Sequence, residues 1–193
     1  RGVMELSSGR RLIGTDLNFT VPDTMPVARM PAVGGGHIVG GADALAELLS
    51  QESLKKYVGV PLDPNTIKGQ FQGDLALDLT LGKGVQPEEQ KFRASGSLTA
   101  LAVDKFLGNT KLEQGAIDFV ADRSQIKMSG TGQAFGAPAK LDVVKVGQDV
   151  GALTLTAVID DAARAKLNFN SGPRIRGPLT LKLKAPLDKS GAD

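Results

Sequence analysis

Between Ile67 and Leu81 the chain reads I-K-G-Q-F-Q-G-D-L-A-L-D-L-T-L. The odd positions are apolar or glycine: Ile67, Gly69, Phe71, Gly73, Leu75, Leu77, Leu79 and Leu81. The even positions are polar except for Ala76: Lys68, Gln70, Gln72, Asp74, Asp78 and Thr80. A period of two turns alternate side chains to opposite faces, so the stretch predicts a β-strand with one dry and one wet side. At ~3.3 Å per residue it would reach roughly 50 Å, where ordinary strands have about 5–6 residues. It is an unusually long strand, or Gly69 and Gly73 bend it.

The pattern returns downstream. Phe92 to Ala102, Leu112 with Ala116 to Ala121, Ile126 to Gln133, Leu141 to Val146, Leu153 to Ile159 and Ile175 to Ala185 all read as strands. Gly136 and Pro138 mark a turn, and Gly82 to Gln90 form a charged, polar one. The openings I-K-G, F-R-A-S-G, I-K-M-S-G and I-R-G form a loose repeat at irregular spacing. That irregularity predicts a meander of similar strands rather than a solenoid. Upstream, Val3 to Leu6 and Leu12 to Val21 predict a hairpin around Ser7-Ser8-Gly9. Residues 22–36, with Pro22, Pro26, Pro31 and Gly34-Gly35-Gly36, predict a loop or edge segment, and His37 to Gly40 a short strand.

Helix is scarce. Ala42 to Leu49 carries Leu45, Leu48 and Leu49 at i, i+3 and i+4, an apolar stripe. Ser53 to Val58 predicts a second short helix, ended by Gly59 and Pro61. Asp160 to Lys166 predicts one or two turns with an aspartate as N-cap. This is too little helix to cover so many strands. Such a sheet must close, fold over or leave an apolar surface exposed. Folded over, it makes a trough lined by Leu, Ile, Phe, Ala and Gly, which suits acyl chains and offers little to polar ligands. We therefore expect a mainly β chain: a long antiparallel meander curled into a taco-like groove or open barrel. One helical unit is expected near residues 42–58 and a short helix near 160–167.

The residues exclude several kinds of chemistry. There is no cysteine, hence no disulfide, thiolate metal site or cysteine nucleophile. Aromatics make up 4% of the chain, with no Trp, too few for a base-stacking surface. A net charge of +2 asks for no polyanionic partner. His37 is the only histidine and has no local acid cluster, and no G-x-S-x-G accompanies the serines. Asp74 and Asp78 share a wet face ~13 Å apart, wide for a pair of catalytic carboxylates. Gly34 to Gly41 precedes a helix but matches neither G-x-G-x-x-G nor a Walker loop, so a flexible turn fits it better than a phosphate cradle. Lys182, Lys184, Lys189, Arg174 and Arg176 make the last strand basic. That suits a protected sheet edge better than a lipid-headgroup surface. No enzyme, cofactor, metal or nucleic-acid partner is expected.

Several segments resemble a known family. G-G-A-D-A-L-A-E-L-L (40–49), Y-V-G-V-P-L-D-P-N-T-I-K-G (57–69) and D-L-N-F-T-V-P-D (16–23) are similar to the AsmA-like superfamily, in its YhdP and TamB type of very long envelope proteins. L-E-Q-G-A-I-D-F-V-A-D (112–122), S-G-T-G-Q-A-F-G-A-P-A-K (129–140) and L-T-L-T-A-V-I-D-D-A-A-R (153–164) fit the same branch. The resemblance implies a periplasmic β-groove in a Gram-negative bacterium, tethered to the inner membrane by parts of a longer protein. It implies passage of phospholipid toward the outer membrane, with no catalytic residues. The chain, opening at Arg1 in mid-pattern, is expected to be one β-rich domain over 1–193, an internal fragment of that longer protein.

The expected partners are phospholipid acyl chains and, in a second reading, envelope proteins that dock on a sheet edge of a structural module. Membrane contact would come from the rest of the longer protein. The expected groove lining is Ile67, Phe71, Leu75, Leu77, Leu79, Phe92, Leu98, Ile126, Met128, Leu153, Leu155, Leu179, Leu181 and Leu183.

Overall fold

Ten antiparallel strands lie side by side in the order in which the chain makes them. They are β1 (Gly2–Glu5), β2 (Arg11–Thr20), β3 (Arg29–Gly41), β4 (Ile67–Gly82), β5 (Lys91–Leu107), β6 (Thr110–Asp122), β7 (Gln125–Ala134), β8 (Ala137–Val146), β9 (Gly151–Ile159) and β10 (Leu179–Leu187). Helix α1 (Ala42–Leu49) follows β3, and α2 (Asp161–Lys166) follows β9. This computed structural model describes residues 1–22, 29–52, 54, 62–86, 89–107, 110–147, 149–166 and 177–187. Apart from Leu54, the helix expected at Ser53 to Val58 lies outside the described residues, as does the expected strand start at Ile175. Among the described residues β1 pairs only with β2 and β10 only with β9, so the sheet is open and not a barrel.

The period-two pattern becomes a shared face because the registers agree. One row crosses the whole sheet: Met4, Leu12, Gly40, Phe71, Leu98, Ile117, Gly130, Leu141, Leu155, Leu183. A slip of one residue in any strand would turn its apolar set to water. Where long strands drift out of phase, bulges restore it. Asp16, Ala100, Lys105 and Gln114 all have positive φ and all lie at register shifts, the backbone signature of an added residue that bends and twists its strand.

The sheet curls toward its apolar side. The rings of Phe71 on β4 and Phe119 on β6 lie 6.0 Å apart between centroids, stacked at 26°. Flat neighbours two strands apart would stand roughly 9.5 Å from one another. They lean together over Gly96 and beside Gly73, whose missing side chain leaves the room: a Cβ on Gly73 would lie 3.2 Å from Phe71 and 3.3 Å from Phe119.

The loop or edge segment expected over residues 22–36 is extended in its described part; the short strand expected at His37 to Gly40 is part of it, and the flexible turn expected over Gly34 to Gly41 is corrected. Arg29 to Gly41 is a single 13-residue strand. Its glycines serve close approach, since a Cβ on Gly35 would lie 2.5 Å from the Leu75 carbonyl oxygen. Pro31 is tolerated because pairing with β2 ends at Val33, leaving β4 as its neighbour. Pro138 likewise belongs to β8 rather than to a turn, ahead of the first β8–β9 pair at Ala139. The turn is Phe135-Gly136 alone, with φ of 58° and 71°, the two left-handed residues that a tight hairpin prefers.

Helix α1 has the expected bounds, but its best-buried side chains are Ala42, Ala44 and Ala46 rather than leucines. Leu45 and Leu48 pack against the core while only partly buried, so small residues set how closely the helix sits on the sheet. In α2 the expected cap is present: Ala163 N–H donates to Asp160 Oδ1 at 2.7 Å.

Gly96→Ala should destabilise the protein by about 1–3 kcal/mol through overpacking, because its Cβ would fall 2.1 Å from the Gln72 carbonyl oxygen. Leu155→Ala, at a side chain only 1% exposed, should cost about 2–5 kcal/mol. On the wet face, Thr99→Ala should stay within about 0.5 kcal/mol. Urea melts of the three variants check this order.

Candidate functional site

The registers bring all of the expected lining residues onto one face. Ile67, Phe71, Leu75, Leu77 and Leu79 of β4 alternate together, and Phe92 and Leu98 of β5 stand opposite Leu77 and Phe71. Ile126 and Met128 of β7, Leu153 and Leu155 of β9, and Leu179, Leu181 and Leu183 of β10 continue the same side. Sequence reasoning missed part of it. Ala32 and Ile38 of β3, Ile117 and Phe119 of β6, and Leu141 and Val143 of β8 belong to the face as well. Glycines and alanines dilute the alternation of those strands.

Burial along this face is graded. At one end the row Ile67, Val103, Leu112, Ala134, Ala137 crosses the sheet, and Leu112, Ala134 and Ala137 are buried. Both helices start at this end, α1 directly after Gly41 and α2 after Ile159. Helix α1 packs on β2, β3 and β4, and α2 on β9. Toward the other end Leu75, Leu77, Leu79, Leu81, Phe92 and Ile126 are only half-buried. Leu17 and Phe19 of β2 are 53% and 59% exposed, with Leu17 lying over Gly14 and Gly36 and Phe19 over Gly34. Among the described residues the face is thus a trough covered by helices at one end and less covered at the other, where Ala32 opposite Leu79 is nonetheless buried. The half-open run from Leu75 to Leu81 is ~20 Å long.

An ion-pair network fastens the closed end. Arg10, in the β1–β2 turn, donates from Nε to Asp43 Oδ2 at 2.8 Å, from Nη1 to Glu47 Oε2 at 2.9 Å and from Nη2 to Asn65 Oδ1 at 2.9 Å. Asp43 and Glu47 belong to α1, and Asn65 to a single 3₁₀ turn, Pro64–Thr66, ahead of β4. Glu47 also accepts from the Ser8 hydroxyl, from Ser8 N–H at 3.2 Å and from the Ser7 hydroxyl at 3.1 Å. The Ser8 hydroxyl, then Arg10, hold the Glu47 carboxyl down at about 2. The same two carboxylates raise the Arg10 pKa, Glu47 first.

The outer face is mainly polar, with exposed valines such as Val120, Val144 and Val158 among its polar residues. His37 Nδ1 and Asp74 Oδ1 stand 2.8 Å apart across β3 and β4. The lone histidine therefore has an acid partner that chain separation hides in the sequence, though 74% of the Asp74 side chain is exposed to water. Asp78 lies 3.9 Å from Lys91. A shallow depression of about 480 Å³ is lined by Gln114, Thr131, Gln133, Lys140 and Thr156 together with Ala139 and Val158, side chains spread along strands with no converging catalytic pair. Lys182 and Lys184 are exposed on the outer side of β10, while Arg174, Arg176 and Lys189 lie outside the described residues. Among the described residues no cluster of His, Cys, Asp and Glu could hold a metal, and no helix is long and apolar enough to cross a membrane.

Comparisons with protein-family models, with curated proteins and with solved structures find no match.

The Glu47 network has a pH consequence. Its pKa is about 2 in the folded chain, below the ordinary 4.5. Its stabilisation is therefore complete above the unfolded value and is lost as pH falls from 4.5 toward 2. Glu47→Gln should lower Tm at neutral pH and flatten the acid decline. Thermal melts at several pH values across that window check it. Parallel declines in parent and variant would assign the acid sensitivity to other carboxylates.

Proposed function

We propose that this chain is a lipid-handling module of a Gram-negative cell envelope, taking phospholipid acyl chains onto the apolar face of its curled sheet. The observation that carries the reading is the single apolar face shared by all ten strands and only partly buried from Leu75 to Leu81. Such a surface in water is costly unless something apolar covers it. Each CH₂ removed from water contributes about 0.8 kcal/mol, so an acyl chain gains from a long dry lining. A bilayer core of ≈ 30 Å gives one leaflet's chain ~15 Å, which fits within the half-open stretch. The mechanism is passive: the chain lies on the dry face while the head stays in water, and no bond is made or broken. The likeness to AsmA-like proteins supports the same reading and adds the periplasm, the inner-membrane tether of a longer protein and the passage of lipid toward the outer membrane.

The second reading is a structural module in envelope assembly. The nine-residue strand β10, paired only with β9 among the described residues, favours it. An unpaired edge can accept a strand from a partner protein.

Organic extraction of the purified protein followed by mass spectrometry separates the two. Co-purified phospholipid is expected. A clean extract, with proteins cross-linked through β10, would establish the scaffold instead. Leu77 sits in the half-open part, so Leu77→Asp should leave the fold intact. It should lower the phospholipid recovered by about tenfold or more, since a charge held against hydrocarbon costs well over 1.4 kcal/mol. Unchanged recovery from a folded Leu77→Asp protein would sink the groove assignment.

A further inference from the structure

We propose that Lys145 is the headgroup contact of the trough. Its ammonium binds the phosphate of a glycerophospholipid whose acyl chain lies along Ile126, Met128 and Val143. The inference rests on the acyl-binding reading above and adds where the head sits and what recognises it.

Two independent observations place Lys145 on the apolar face. In the β7–β8 register it stands opposite Ile126, and Val143 stands opposite Met128. A Cβ on Gly151 would lie 2.9 Å from both the Lys145 Cβ and the Leu187 Cδ1, and Leu187 belongs to the same face. Among the described, ladder-paired residues of that face, Lys145 is the one charged side chain. It occupies the last inward position of β8, at the open end.

The polarity of β8 is inverted there. Val144 and Val146 face outward, 44% and 52% exposed, while the lysine between them faces the trough. For stability alone the opposite arrangement is better, with valine inside and lysine in water. Inward charges can guard a free sheet edge, but β8 is flanked by β7 and β9 and has no such edge to guard. Recognition of an anion explains the inversion. A lysine stem can lie on apolar surface while its ammonium reaches the wet mouth, where a phosphate meets a point charge. Lys145 already takes part in an interaction within the chain, so the phosphate would share the ammonium.

The test compares the full chain with Lys145→Met and Lys145→Glu, each first shown to melt like the parent. The probes are phosphatidylglycerol, a diacylglycerol with the same acyl chains and inorganic phosphate. The parent should bind phosphatidylglycerol more tightly than diacylglycerol. Lys145→Met should weaken phosphatidylglycerol about tenfold, the worth of one charged hydrogen bond, and Lys145→Glu should weaken it further. Neither variant should change diacylglycerol binding. Equal phosphatidylglycerol affinity in all three proteins overturns the headgroup site while leaving the groove standing. Failure of the parent to bind either lipid overturns the groove and this site together. Lysine-dependent binding of inorganic phosphate with no lipid preference also overturns the proposal, marking a bare anion site.

Discussion

Everything in this fold depends on phase. Hydrogen bonds between neighbouring strands fix which residues stand opposite one another, and a period of exactly two leaves no half-measures: a strand is either in step, with its apolar residues inward, or one residue out, with all of them in water. Ten strands keep step across the row from Met4 to Leu183. Such agreement over strands of up to 17 residues is not automatic. The positive-φ residues Asp16, Ala100, Lys105 and Gln114 show where the chain absorbs an added residue to regain it. Placing these on non-glycine residues carries a backbone penalty, repaid by returning a whole strand end to the correct face.

Curvature follows from the same ladder. The glycines of the inner face allow side chains from alternate strands to meet over them, as Phe71 and Phe119 do beside Gly73. A flat sheet with this pattern would present a plane of hydrocarbon. The curled one turns that plane into a concavity, and the two helices close one end of it. The Arg10 network joins the β1–β2 turn, α1 and the turn before β4 into one fixture, so the closed end is held by charge and the rest by packing.

Much of this was legible in the sequence because alternation is a local signal. In β4, Leu75, Leu77 and Leu79 announce their face with no knowledge of the partner strand, and the same holds for Leu153 and Leu155 in β9. Strand β3 was not legible, since Pro31 and Gly34-Gly35-Gly36 are turn residues by local rules. Only the neighbours β2 and β4 show that these positions need a missing side chain or a missing donor. The His37–Asp74 pair and the inward position of Lys145 depend on register and are invisible to any window of sequence. The graded burial of the trough was hidden for the same reason, because it depends on where chain connections deliver the two helices.

The order of the strands carries one more consequence, for how such a sheet is made. Each strand pairs with the one that precedes it in the chain, so every ladder closes a loop far shorter than the protein. Loop-closure entropy grows only with the logarithm of loop length, and topologies built from sequence neighbours fold faster than those needing distant partners. A strand leaving the ribosome finds its template in the one made just before it. A large β-sheet is ordinarily a slow folder. Here, assembly can be as progressive as synthesis.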